Sequence, residues 1–370
     1  MDYTSPMPPI AWQAILDANG ALAGHEIFNR SRTASAHTMD SDLALAHAVL
    51  SHIQPTPLPG DGLLFLNTTY ESLHGVHLDL LPASRVVLEI PSLGHAASSE
   101  VTGRRPALAA MRAKGFALAF DHSVLDSAYA PWHDLVDYVK IDFSVLTAER
   151  AVLVIRWARR LAGAILIADK IESPAQLQLA QGSAVDLLQG YAVSRPQPVR
   201  ARVLLPTDTA VAGLAAVLRG PLDTHAVAHH LQTQPTLLFN LLRMARSQGV
   251  ERTTPYASVV QLVDALGARC LRAWATLLQA VAAQAPRDLS YKQRYIAHGA
   301  DLAMAAQTAW PDVAVATLQL VAHALLVGQL LGLSVAQSAD QLLPAPLTQQ
   351  VLAVEPQWRS LLGALAPTVL

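Results

Sequence analysis

Eight short apolar runs of strand length follow one another in about the first 200 residues, and a charged or amide side chain ends or closely follows most of them. The runs are 11–16, 24–28, 63–67, 85–90, 116–121, 138–141, 164–168 and 187–193. Amphipathic stretches of helical length lie between several of them, at 40–54, 106–114, 148–161 and 174–182. The last opens with Ser173-Pro174, an N-cap followed by a first-turn proline. Eight strands with crossover helices in this length predict a compact (β/α)8 barrel. The link Asp17-Ala18-Asn19-Gly20 is too short for a crossover helix and reads as a hairpin turn, so the first strand is expected antiparallel to the second.

Past Ser194-Arg195-Pro196-Gln197-Pro198-Val199-Arg200, a proline-punctuated exit from the last strand, the pattern changes to helical periodicity. Segments 210–218, 224–232, 236–247, 258–266, 268–283, 291–307, 313–331, 334–342 and 346–355 predict an all-α bundle. The expected domains are therefore 1–200 and 201–370. The 52% hydrophobic and 15% charged composition supplies enough apolar surface for two cores and argues against disorder. With 26 Lys+Arg against 28 Asp+Glu, there is no electrostatic case for nucleic acid or an anionic membrane. Cys270, the single cysteine, excludes an internal disulfide and a cysteine-built zinc site. The N-terminus lacks a signal-peptide pattern, and the apolar run 313–333 is broken by Gln319, His323, Gly328 and Gln329. A cytoplasmic protein is expected, with a homodimer allowed by its Ala- and Leu-rich faces.

In such a barrel the chemistry sits at the C-terminal ends of the strands. Those positions hold Glu26, Asn67, Glu89, Asp121, Lys140 with Asp142, Asp169 with Glu172, and Gln189. Charges beside apolar runs are costly unless paired or metal-bound. Glu26, Asn67, Glu89 and Asp121 offer hard oxygen donors suited to Mg2+ or Mn2+. Lys140 is one of only four lysines in a chain that otherwise uses arginine. Its ammonium is suited to orienting water or offsetting phosphate charge.

The order of these residues resembles the EAL domain family, barrel phosphodiesterases and receptors of cyclic di-GMP. The segment Gly24-His25-Glu26-Ile27-Phe28-Asn29-Arg30 is similar to the stretch bearing the family's name motif. The resemblance implies that Glu26 is a metal ligand and Arg30 a phosphate contact. Gln13 falls in a segment similar to the family's Gln-Pro-Ile, with Ala14 for the proline. Asn67 and Glu89 match further ligand positions, Asp121 the first Asp of Asp-Asp-Phe-Gly, Lys140-Ile141-Asp142 the Lys-Ile-Asp motif, and Gln189-Gly190-Tyr191 the closing Gln-Gly-Tyr. Gln13, Arg30 and Gln189 are thus implied as nucleotide contacts, Lys140, Asp169 and Glu172 as catalytic positions, and Glu26, Asn67, Glu89 and Asp121 as a single metal site.

The departures bear on activity. His122 stands where the motif has its second Asp, Ser123-Val124-Leu125-Asp126 replaces the loop after it, and Ala168-Asp169-Lys170-Ile171-Glu172 replaces Ala-Glu-Gly-Val-Glu. Two-metal phosphodiester cleavage needs both ions positioned. A neutral His brings no negative charge, and an Asp base falls one methylene short of a Glu.

The helical half, from about Leu204, resembles the HDOD domain, a non-catalytic relative of HD phosphohydrolases. The resemblance rests on 223–235, on 237–243, and on 258–267 followed by Leu271-Arg272-Ala273-Trp274. It contains no adjacent His-Asp pair; His225, His229, His230, His298 and His323 are scattered, and His133-Asp134 lies in the barrel half. The two resemblances imply a bacterial signalling protein in which a degenerate barrel and a helical module work through protein partners. An active phosphodiesterase yielding linear pGpG and a non-hydrolysing cyclic di-GMP receptor are the alternatives.

Overall fold

The parallel strands pair in chain order, and an inverted first strand closes them into a barrel. In the computed structural model, residues 10–29, 38–51, 62–94, 98–198, 205–282 and 290–365 are described. The strands are β1 (Ile10–Asp17), β2 (Leu22–Asn29), β3 (Leu63–Asn67), β4 (Val86–Ile90), β5 (Ala117–Asp121), β6 (Tyr138–Asp142), β7 (Ile165–Asp169), β8 (Leu187–Leu188) and a two-residue β9 (Gln197–Pro198). Neighbours from β2 to β8 are parallel, whereas β1 runs antiparallel to both β2 and β8 and so joins the two ends of the sheet; β9 pairs with the outer half of β1. The hairpin between β1 and β2 is the expected tight turn. Asp17 Oδ1 accepts from Asn19 N and Ala21 N, each at 2.8 Å, and Gly20 takes φ 80°.

Four helices cross over in the barrel: α1 (Met39–Ser51), α2 (Ser98–Ala113), α3 (Ala148–Ala158) and α4 (Pro174–Gln181). Short 3-10 turns replace a helix between β3 and β4 and between β5 and β6. Helix α4 begins as its sequence implies, with Ser173 and Gln176 forming a capping box. Two expectations need correction. The last strand is two residues long, because from Gln189 the chain turns away to bond Ile171. Helix α2 starts well before Pro106 and carries that proline inside it. Val101 and Leu108, both fully buried, anchor the helix on either side of the proline, so packing outweighs the lost backbone donor.

The helical half comprises α5 (Asp208–Val217), α6 (Thr224–Gln232), α7 (Pro235–Gln248), α8 (Val250–Thr253), α9 (Val259–Val281), α10 (Ser290–Ala309), α11 (Val315–Leu330), α12 (Val335–Leu342), α13 (Ala345–Ala353) and α14 (Glu355–Leu365). Helix α9 breaks at Gly267 (φ 70°, ψ 167°), the residue between the two helices read there in the sequence. Helix α14 was not anticipated; it is seated by Trp358, which is buried and stacks on Trp310 with ring centroids 4.8 Å apart. Helix α11 is buried on nearly every side, as expected of an apolar helix inside a bundle. Among the described residues no single helix is long and apolar enough to cross a membrane.

The described residues fall into two compact units. The strands and α2 to α4 belong to one, and residues from 205 onward to the other, together with 46–51 of α1. The position 200/201 itself lies outside the described residues.

Candidate functional site

Two-residue periodicity along the strands stacks a polar layer directly on an apolar one. Ile15, Phe65, Val87, Ala119, Tyr138, Ile167 and Leu187 pack together as the floor of the barrel. Two residues further on, the same faces of β3 to β7 present Asn67, Glu89, Asp121, Lys140 and Asp169, and Gln189 follows directly on the end of β8. On the inverted β1 the equivalent step runs backwards, from Ile15 to Gln13, and Gln13 is the register partner of Glu26 on β2. These side chains, with Asp142 and Lys170, line a cavity of about 450 Å3.

Lys140 is the hub. It is 7% exposed, and its Nζ donates to Glu26 Oε2 at 2.9 Å and to both oxygens of Glu89 at 2.9 and 3.0 Å; Asp169 Oδ2 stands 3.8 Å away. Glu26 also accepts from Asn67 Nδ2 at 3.0 Å and from Gln189 Nε2 at 2.5 Å. Gln189 Nε2 leans on Gln13 Oε1 at 3.4 Å, and Gln13 Nε2 donates to the Ser194 carbonyl at 2.7 Å. Gln189 Oε1 is buried and has no hydrogen-bond partner.

Two buried glutamates thus share one ammonium. Burial by itself would raise Glu26, but the charge of Lys140 and the bonds from Lys140, Gln189 and Asn67 hold its carboxyl below the ordinary range. Burial and then the Glu26 charge push Glu89 up to about 8 despite Lys140. Asp169 is raised, chiefly by burial. Burial disfavours the Lys140 ammonium, yet Glu26, Glu89 and Asp169 together keep its pKa well above the ordinary value.

The remaining expected residues divide. Asp121 lines the cavity, but its Oδ1 accepts from Ser123 N at 2.8 Å and caps the 3-10 turn 122–125. His122 is half-buried, is not among the lining residues, and keeps a buried Nδ1 without a hydrogen-bond partner. Glu172, expected with the strand ends, is exposed just before the Ser173 N-cap of α4 and is not among the residues lining the cavity. Arg30 lies outside the described residues. The donor set Glu26, Asn67, Glu89 and Asp121 has the hard-oxygen chemistry a divalent ion takes. Among the described residues, though, no three His, Cys, Asp or Glu side chains are gathered in ligating geometry; Lys140 already binds two of the carboxylates.

Sequence reasoning missed Lys170. Its φ of 54° is the left-handed conformation that glycine adopts freely, and its Nζ donates to Asp142 Oδ2 at 2.6 Å. The signal available was that it is one of the four lysines. Beside it, Gly190 (φ 144°) is obligatory: a Cβ there would lie 2.2 Å from Ile171 N, where the Gln189 carbonyl accepts from that same nitrogen at 3.0 Å.

The His-Asp dipeptide has a structural occupation. Asp134 takes a two-pronged bond from Arg105 at 2.6 and 2.7 Å, and His133 Nε2 bonds the Val124 carbonyl at 3.0 Å. In the helical half, His230 bonds the Ala210 carbonyl at 3.1 Å and His323 the Gln319 carbonyl at 2.7 Å.

No protein-family model matches the chain. A curated protein of Vibrio cholerae, cyclic di-GMP phosphodiesterase CdgJ, is 23% identical over 290 residues, covering 76% of this chain and 66% of that protein, so the chain spans just under two thirds of that relative's length. Solved structures similar to the chain include the Bacillus subtilis YkuI protein, with an EAL domain, in complex with substrate c-di-GMP and calcium (22% identity, TM-score 0.40, 51% of this chain and 54% of that one). Klebsiella pneumoniae BlrP1 in a calcium and cyclic di-GMP complex is another (22% identity, TM-score 0.40, 51% and 56%). The sequence match is thus to a cyclic di-GMP phosphodiesterase, and the fold of this chain's first half is a closed barrel with an inverted first strand.

Proposed function

We propose that the chain is a cyclic di-GMP signalling protein whose EAL-like barrel, residues 1–200, does not hydrolyse the nucleotide efficiently, and whose helical region, residues 201–370, is an HDOD-like module that recruits protein partners. One observation carries the reading: Lys140 holds Glu26 and Glu89 together through bonds of 2.9 to 3.0 Å, so the carboxylates best placed to ligate a metal are already paired. Asp121 is occupied as a turn cap, and His122 does not line the cavity. The match to CdgJ supports the nucleotide class.

Glu26, Asn67, Glu89 and Asp121 would hold one Mg2+ or Mn2+ if Lys140 yielded its bonds. Such an ion supplies electrostatic neutralisation of a phosphate oxygen. Gln189, with its unpartnered buried oxygen, and Gln13 would then present amides to the ligand, and Arg30 a guanidinium to its phosphate. A second reading, a metal-dependent phosphodiesterase releasing linear pGpG, is favoured by Asp169, whose raised pKa beside Lys140 suits a proton acceptor.

Calorimetric titration of the purified chain with cyclic di-GMP, in Mg2+ and in Ca2+, tests the nucleotide assignment. Binding that Arg30→Ala weakens by about 1.5 to 3 kcal/mol supports it. No heat in either metal removes the nucleotide and leaves the barrel as a protein-interaction scaffold. A pull-down with surface variants of residues 201–370 tests the recruiting role, and retention of partners by all of them would count against it.

A further inference from the structure

Lys170 combines two features that do not ordinarily coincide: a side chain at a left-handed backbone position, and an ammonium delivered into a carboxylate-lined cavity. The backbone around it is fixed from all sides. Lys170 N donates to Asp169 Oδ1 at 2.8 Å, Phe143 N to the Asp169 carbonyl at 2.9 Å, Ile171 N to the Gln189 carbonyl at 3.0 Å, and Ala192 N to the Ile171 carbonyl at 2.9 Å. Positive φ is therefore imposed by the fold, and glycine would meet it without strain. What the lysine adds is its charge. Its Nζ lies 2.6 Å from Asp142 Oδ2, and Asp142 is the register partner of Asp169 across β6 and β7. Both carboxylates line the cavity; Asp169 also stands 3.8 Å from Lys140 Nζ, and Asp142 Oδ1 accepts from Ser144 N and Oγ at 2.9 and 2.6 Å, which leaves Asp142 Oδ2 to the lysine.

We propose that the Lys170 ammonium is a resident cation at the outer end of the barrel cavity, held by Asp142, which keeps the Asp142–Asp169 pair from taking up a divalent ion and limits the cavity to one such ion at most. This rests on the reading of the cavity as a divalent-cation and phosphodiester site. The Lys170 side chain is 55% exposed and Asp142's 18%, so the ammonium stands at the rim of the cavity, and a divalent ion on the same carboxylates would meet its charge across little protein; removing the ammonium favours the ion there.

The test is Mn2+ binding to the full chain without nucleotide, followed by electron paramagnetic resonance and calorimetry, for the wild type, K170G and K170M. K170G also relieves the backbone, whereas K170M keeps the side chain's bulk and removes only its charge. The expected result is that both variants gain Mn2+ affinity by about tenfold or more, and that adding D142N to K170M abolishes the gain. Affinity and stoichiometry within twofold of wild type in both variants would overturn the proposal. So would a gain in K170G alone, which would assign the effect to the backbone. Cyclic di-GMP titrated into the same samples separates the two readings. A Mn2+ gain without nucleotide binding keeps this inference and removes the nucleotide; nucleotide binding without any Mn2+ gain does the reverse.

Discussion

Lys140 grips Glu89 by both carboxylate oxygens, its Nζ lying 2.9 Å from Oε1 and 3.0 Å from Oε2. Their strands are not neighbours, since β5 runs between them, so the bond spans the mouth of the barrel rather than following the ladder. The pair is therefore part of what holds the polar layer together as well as part of the candidate site.

Lys140→Met leaves Glu26 and Glu89 buried without their cation. Loss of one partner from a buried ion pair destabilises by about 3 kcal/mol or more. Urea unfolding at pH 8.5, above the Glu89 pKa of about 8, is expected to report a loss of that order, shrinking at pH 5 as the carboxyls take up protons. An unchanged midpoint at pH 8.5 would mean that the cluster contributes nothing to folding.

Glu89 gives the stability a pH dependence of defined sign. Its folded pKa, about 8, is raised above the ordinary 4.5. The folded state therefore holds a proton that the unfolded chain has released, and this contribution is full below about pH 4.5 and is lost as pH rises through about 8. Denaturation midpoints measured from pH 5 to 8.5 are expected to fall with pH in the wild type and to flatten in Glu89→Gln. Parallel curves for the two proteins would contradict this origin.

His47 acts on the acid side. It is buried, its Nε2 donates to Asn240 Oδ1 at 3.1 Å, and burial, partly offset by that bond, lowers its pKa from 6.5 to about 4. A depressed histidine contributes stability that is present above about pH 6.5 and lost as pH falls toward 4, here up to about 3 kcal/mol. His47→Gln should reduce the acid-limb slope between pH 6.5 and 4, and an unaltered slope would remove His47 from that role.

Much of the barrel is legible in the sequence because a polar residue two positions past an apolar one, on strand after strand, encodes both the floor and the site. Glu26, Asn67, Glu89, Lys140, Asp169 and Gln189 come together for that reason. Sequence could not convey that Lys140 would be bonded to two glutamates at once, since that depends on the closure of non-neighbouring strands. The sequence extended the eighth strand to residue 193, whereas it stops at Leu188 because at Gly190 the chain turns and the Gln189 carbonyl accepts from Ile171 N. Lys170 is marked in the sequence only as one of four lysines, and nothing in composition or periodicity marks its positive φ.

Gly190→Ala tests that corner of the barrel. The new methyl carbon would sit 2.2 Å from Ile171 N at a φ of 144°, so the backbone must move. A destabilisation on the order of 3 kcal/mol is expected, with loss of any cyclic di-GMP affinity through displacement of Gln189. A variant as stable as the wild type would show that the approach of the two loops is not obligatory.

The most direct test is chromatography of cyclic di-GMP after incubation with the purified full chain in Mg2+ and in Mn2+. A barrel whose Glu26 and Glu89 are held by Lys140, with His122 off the cavity, should leave the nucleotide intact over hours. Accumulation of linear pGpG that disappears in Glu26→Ala would contradict that outcome and establish the chain as a phosphodiesterase.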